Sequence, residues 1–330
     1  MKFVKLLVIA SIMACVCTSW AFAKPLTINV GYTSAIGSSY DILASKFAKL
    51  ANEYSKGEVD VKVRCCAQLA TEDEAFKAMQ LGTLDMYVIT DVNIGPHFPL
   101  FDIMGLPYIF QSDDHARKVF EGPVGQKLAQ DLYDATGVAL LTYGGVVYRD
   151  FYNTKLPINT MADLKGIKIR VPKSKAMIAT WKAFGAAPIP LAWADTPPAL
   201  QTGAVDGGDN GTSFIKAQRF YEIASNLAIL DHFCAVTPLF ASKRIMSKMN
   251  DAQRDAVLRA AKDAGKFHVK AMEDELQELR SFLGKEGGMK VTYPDKAEFI
   301  KVALQVQDDF AADREAEFKK LLQDIRNAAK

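Results

Sequence analysis

The chain offers little that would tie it to a metal, a nucleic acid or a membrane. Among its 330 residues are five cysteines and four histidines. No spacing among them and His97, His115, His232 or His268 resembles a zinc site, where closely spaced ligand pairs are expected. Neither a bound metal nor a cofactor is therefore expected. Forty basic residues against 38 acidic ones leave a formal charge of +2, too small a surplus to imply a nucleic-acid partner. Past the first residues, no segment approaches the ~20 uninterrupted apolar residues that a membrane-spanning helix needs. There is no Gly-x-Ser-x-Gly elbow and no His-Glu-x-x-His helix motif, so a hydrolase or lyase reading finds nothing to assemble around. A glycine- or serine-rich linker is also missing. Lobes joined by crossing strands would leave no such polar break, whereas a flexible tether would.

What is present begins with an export signal. Lys2 and Lys5 form a short basic region, Leu6 to Ala14 an apolar run, and Ala21-Phe22-Ala23 a small-x-small cleavage site. Removal of residues 1–23 takes both lysines with it and leaves the mature chain formally neutral. A second reading of the segment is a lipoprotein signal, since Ile12-Met13-Ala14-Cys15 loosely fits the pattern preceding a lipidated cysteine. After cleavage at Ala23, Cys65, Cys66 and Cys234 remain; one disulfide is possible and none is required. Roughly 300 residues then suggest two lobes. The expected division is 24–145 with 236–275 for the first, and 146–235 with 276–330 for the second.

Strand and helix patterns alternate. Leu26 to Val30 reads as a buried strand. Tyr40, Leu43, Ala44, Phe47, Leu50, Ala51 and Tyr54 then recur at helical spacing until Gly57. Val59 to Val63 alternates as a strand, Thr71 and Glu74 form a capping box, and Leu84 to Thr90 is a further strand. The order predicts an α/β fold with mainly parallel sheets and ligand loops beyond the strands' carboxyl ends, after Val30, Val63 and Ile89. In the second half, Ala139 to Tyr143, Ile167 to Val171 and Ala204 to Gly207 read as strands and Ser174 to Phe184 as a helix. Asp251 to Leu283 and Lys296 to Arg326 are long amphipathic helical regions, expected to pack across both lobes with their Lys/Glu runs in solvent.

Two stretches carry chemistry. The strand ending at Pro172 puts Arg170 at its carboxyl end, where a planar guanidinium can give two parallel hydrogen bonds to a carboxylate; an ordinary solvated strand charge fits the same spacing. Forty residues on, Asn210 is expected in a glycine-rich turn, Gly207-Gly208-Asp209-Asn210-Gly211, placed to share that carboxylate, although Asp, Asn and Gly are also plain turn residues.

These stretches resemble the extracytoplasmic binding subunits of TRAP transporters, the family of the C4-dicarboxylate and sialic acid receptors. The likeness spans nearly the whole chain. Its most specific strings are Asp163-Leu164-Lys165-Gly166-Ile167-Lys168-Ile169-Arg170-Val171-Pro172 and Ala199-Leu200-Gln201-Thr202-Gly203-Ala204-Val205-Asp206-Gly207. The resemblance implies a two-lobed periplasmic binding protein fold of the Venus flytrap kind. It also makes Arg170 the carboxylate anchor, Asn210 its neighbour, Arg149 a second basic group and Trp193 an aromatic wall. By the same alignment Thr33, Ser34, Glu72, Thr90, Asp91 and Asn93 fall on first-lobe loops facing the cleft, although Glu72 also suits the first turn of its helix. Phe214 reads as core. The chain departs from the family pattern at Pro197, at Asp209-Asn210-Gly211 and at Gln68-Leu69-Ala70.

The resemblance further implies that the protein is a receptor and not an enzyme, with a small carboxylate ligand and integral-membrane TRAP permease subunits as partners. A sugar acid or hydroxy acid is the first expectation. A C4-dicarboxylate held by Arg149 as well is the second, and a hydrophobic acid against Trp193 the third. A sensor-associated or ABC-type receptor of the same fold remains an alternative.

Overall fold

The computed structural model describes residues 24–329; the signal segment and Cys15 lie outside them. In chain order the first part runs β1 (Leu26–Gly31), α1 (Ser39–Tyr54), β2 (Val59–Arg64), α2 (Glu72–Gln80), β3 (Met86–Val88), α3 (Asp113–Glu121), α4 (Pro123–Thr136) and β4 (Val138–Thr142). Next come β5 (Val146–Asn153), β6 (Lys168–Val171), α5 (Lys175–Ala183), β7 (Ala187–Pro190), α6 (Thr196–Gln201), β8 (Gly207–Gly211), α7 (Thr212–Ala217) and β9 (Asn226–Val236). The chain ends with β10 (Leu239–Ser242), α8 (Lys243–Lys248), α9 (Asp251–Lys285), β11 (Lys290–Thr292), α10 (Ala297–Ala312) and α11 (Ala316–Ala328).

Two sheets result, ordered β2-β1-β3-β10-β4 and β11-β9-β5-β8-β6-β7. Each forms the centre of one lobe. In the first, β1 pairs in parallel with β2 and β3, so the loops after Gly31, Arg64 and Val88 leave from the same edge. In the second, β6 lies parallel to β8 and brings Arg170 beside Gly208. β8 runs antiparallel to β5 and sets Arg149 opposite Gly211. Apolar and polar residues alternate along β1, β2 and β6, which turns one apolar face of each strand into the core. Ile28, Val30, Ile169 and Val171 are accordingly buried.

The chain passes between sheets at Tyr143-Gly144-Gly145, joining β4 to β5, and at Thr237-Pro238, joining β9 to β10. One residue of α9 ties both crossings. The Gly145 N–H donates to His268 Nδ1 at 2.7 Å, which leaves Nε2 to donate to the Ser39 carbonyl at 3.0 Å. The Ser39 hydroxyl in turn meets Thr237 Oγ1 at 3.0 Å. Burial lowers the His268 pKa to about 4, so the imidazole is neutral and keeps Nδ1 as an acceptor. Gly144 has φ +68 and no room for a Cβ against the Thr237 carbonyl, so both geometry and space require glycine there.

α9, 35 residues and so about 50 Å long, begins at an Asn250/Gln253 capping box. Its small buried residues Ala260, Ala261 and Ala264 let it lie close to α1, at Leu43 and Phe47. The amphipathic region expected over Lys296 to Arg326 is two helices, broken after Ala312. α10 packs Phe299 on Phe184 in the second lobe. α11 instead buries Phe318, Leu322 and Ile325 among Phe101, Phe120 and Leu128. Arg314, in the break, pairs with Asp102 at 2.7 Å. No glycine or proline marks that break, so hydrophobic periodicity alone runs through it.

Cys65 and Cys66 form a disulfide between adjacent residues, and Cys234 is a buried free thiol. Cys66 and Ala67 take positive φ. Their turn returns over the loop after β1, with the Cys66 N–H on the Ser34 carbonyl at 3.2 Å and the Ala67 N–H on that of Tyr32 at 3.1 Å.

Candidate functional site

A cavity between the lobes is lined by Thr33, Tyr40, Glu72, Thr90 and Asn93 on one side and by Arg149, Arg170, Pro172, Trp193, Asn210 and Phe214 on the other. The first group hangs on the loops after β1, β2 and β3 and the helices they lead into. The second comes from β5, the end of β6, the turn after β7, and β8 running into α7. Eight of the ten expected residues meet here.

Arg170 is 3 % exposed, and its Nε and Nη2 both donate to the Leu191 carbonyl, at 3.1 and 2.8 Å. A guanidinium carries five N–H bonds, so three remain for other partners. Among the described residues no carboxylate lies within ion-pair distance of Arg170. Its guanidinium carbon sits 5.4 Å from the centre of the Trp193 ring. Burial pushes its pKa down, as expected for a cation without a close counter-ion.

Arg149 is buried too, but paired. Its Nε donates to Asp209 Oδ2 at 2.9 Å, Nη2 to the Asp209 carbonyl at 2.5 Å and to Oδ1 at 3.2 Å, and Nη1 to Asn210 Oδ1 at 3.2 Å. His232 Nε2 supports Asp209 Oδ2 from behind at 3.1 Å. Burial opposes ionisation of Asp209, yet Arg149 and His232 hold its carboxyl well below the usual range.

Glu72 starts α2 and is 8 % exposed. It accepts from Thr33 Oγ1 at 3.1 Å and from the Asn93 amide. Burial raises its pKa, while Asn93, Tyr40 and Thr33 act against the rise. The wall is completed by aromatic rings: Phe214 meets Tyr40 edge-on at 4.8 Å and Trp193 at 6.1 Å.

Two expected residues point elsewhere. Ser34 bonds Ser38 at the start of α1. Asp91 accepts the N–H groups of Val92 at 2.8 Å and Val236 at 3.2 Å, fixing the loop after β3 to the end of β9 beside the crossing. Asn210 lies in β8 and not in a turn; glycines at 207, 208 and 211 made the segment read as one. Packing explains them: a Cβ at 207 would lie 2.8 Å from that of Asn153, and one at 208 2.5 Å from the Tyr152 hydroxyl. Tyr40, Pro172 and Phe214 were not expected at the site.

A family model described as bacterial extracellular solute-binding protein, family 7, matches residues 30–313. The chain belongs to this family. Relatives of this family 7 chain include the sialic acid-binding periplasmic protein SiaP of Vibrio cholerae, 30 % identical over 86 % of the chain and 88 % of the relative. Another is the 2,3-diketo-L-gulonate-binding periplasmic protein YiaO of Escherichia coli, 28 % identical over 87 % and 88 %. Among solved structures, the sugar acid binding protein DctPAm of Advenella mimigardefordensis with galactonate superposes with a TM-score of 0.87 at 26 % identity, covering 92 % of this chain and 99 % of that one. A TRAP periplasmic solute binding protein of Sulfurospirillum deleyianum with succinate gives 0.85 at 26 %, covering 93 % and 100 %. The two-lobed fold and the membership among TRAP-type solute-binding proteins follow.

Proposed function

We propose that the protein captures a small hydroxylated organic acid, a sugar acid or hydroxy acid, by closing its lobes so that the ligand carboxylate seats on Arg170. One observation carries the reading: a buried guanidinium with three further N–H bonds and, among the described residues, no acid partner. A buried charge is costly unless paired, and a carboxylate with bidentate geometry supplies the missing partner. Glu72, Asn93, Thr33 and Thr90 on the opposite lobe provide acceptors and donors for hydroxyl groups. Closure excludes water and strengthens the charge pair. The galactonate and diketogulonate binding of two relatives supports the same class.

Delivery to integral-membrane TRAP permease subunits, export with cleavage after Ala23, and binding without turnover belong to this reading. Carboxylate ligands should raise the melting temperature in a thermal-shift screen, by ~2.7 kcal/mol of stabilisation at 100 times the dissociation constant. Galactonate or glucuronate is expected to act where the uncharged alditol does not. Stabilisation by neutral or cationic compounds alone would reject the carboxylate reading.

A further inference from the structure

We infer that Asp209 withdraws Arg149 from anion binding and so restricts the cleft to acids with a single carboxylate. The inference rests on the function proposed above and sharpens it to a charge class.

The two cavity arginines differ in what surrounds them. Arg149 spends four of its five N–H bonds on Asp209 and Asn210, and both Asp209 oxygens are used in return. Asp209 is fully buried, and His232, fully buried behind it, fixes Oδ2. A ligand carboxylate approaching Arg149 would have to displace an acid that the protein holds in place and that has no solvent to retreat into. Among the described residues Arg170 has no such partner.

The other charged groups are Glu72, itself an acceptor for Thr33 and Asn93, and, where the cleft continues past Arg170 and Trp193, Asp73 and Lys173. With the Arg149–Asp209 pair neutral as a unit, the buried wall offers Arg170 as its uncompensated cation and Glu72 as its acid, while Lys173 stands in solvent, where an ion pair contributes little. A monocarboxylate on Arg170 meets the cation. A second carboxylate on the same skeleton would face Glu72 or the occupied Arg149, and like charges placed together across an interface cost several kcal/mol. Hydroxyl groups at that end meet acceptors instead.

The test uses matched pairs that differ by one carboxylate: galactonate against galactarate, and gluconate against glucarate, titrated calorimetrically into the purified protein. The expected result is that each monoacid binds at least ~30-fold more tightly than its diacid. Asp209→Asn should free Arg149 and narrow that ratio to about threefold or less, chiefly by a gain for the diacid. Asp209→Glu, which keeps the carboxylate, should preserve the wild-type preference. A residue that merely supported the fold would weaken both members of a pair together and leave their ratio unchanged. Equal binding of monoacid and diacid by the wild-type protein overturns the inference, and that comparison decides even where a variant does not fold. Because it leaves a carboxylate receptor intact, it is distinguishable from failure of the functional reading, in which neither acid binds and both proposals fall.

Discussion

The two lobes contribute unlike chemistry to the cavity. The second supplies both arginines and the Trp193 and Phe214 rings; the first supplies Thr33, Tyr40, Glu72, Thr90 and Asn93, with no basic side chain. Fixed positive charge therefore sits on one wall, and hydrogen-bonding groups suited to hydroxyls on the other. In the functional reading, the second lobe holds the acid and the first reads its substituents, so substitutions on the two walls should fail in different ways.

The largest effect belongs to Arg170. Truncating one member of a buried charge pair costs ~2–5 kcal/mol, so Arg170→Ala should weaken a bound sugar acid by at least ~30-fold in calorimetry, for every carboxylate alike. An unchanged affinity would remove Arg170 from the binding wall. On the first lobe, Glu72→Gln should cost less, about tenfold, because a hydrogen bond to a charged group contributes ~1.5–3 kcal/mol and one acceptor oxygen survives. That loss should vanish for deoxy analogues lacking the hydroxyl. Equal losses for hydroxylated and deoxy acids would erase the division of labour between the walls.

The smallest effect is one of stability. Burial raises the Asp91 carboxyl to about 7 against hydrogen bonds from Val236, Val92 and Thr90. The native state thus keeps a proton that the unfolded chain releases near pH ~4. Native protein binding more protons means that the Asp91 contribution to stability falls as pH rises from about 4 to about 7, and is level above. Melting temperatures across that range should decline less steeply in Asp91→Asn; an identical slope would show that Asp91 is ionised in the folded protein.

How far the sequence disclosed all this varies by residue. The place of Arg170 on the cavity wall was legible only from the strand ending at Pro172 and the family resemblance together, since an ordinary solvated charge fits the same spacing. The strand-helix alternation predicted the α/β class because its periods are local. Thr33 and Thr90 were legible as loop residues, but Ser34 and Asp91 were not separable from them, since adjacent loop residues face opposite ways. Tyr40 and Phe214 were hidden by the likeness of cleft aromatics to core aromatics at helical spacing. The Arg149–Asp209 pair spans 60 positions and depends on β5 lying antiparallel to β8, a register with no local signature. The break between α10 and α11 was not legible, because amphipathic period specifies a buried face and runs on through residues 313–315, where no glycine or proline stops it.

The most direct test of the central claim is a crystal structure of the mature protein with galactonate or another sugar acid that stabilises it. The account predicts both carboxylate oxygens within hydrogen-bond distance of the free N–H groups of Arg170, with ligand hydroxyls on Glu72 and Asn93. A carboxylate seated away from Arg170, on Arg149 or in solvent, would contradict it.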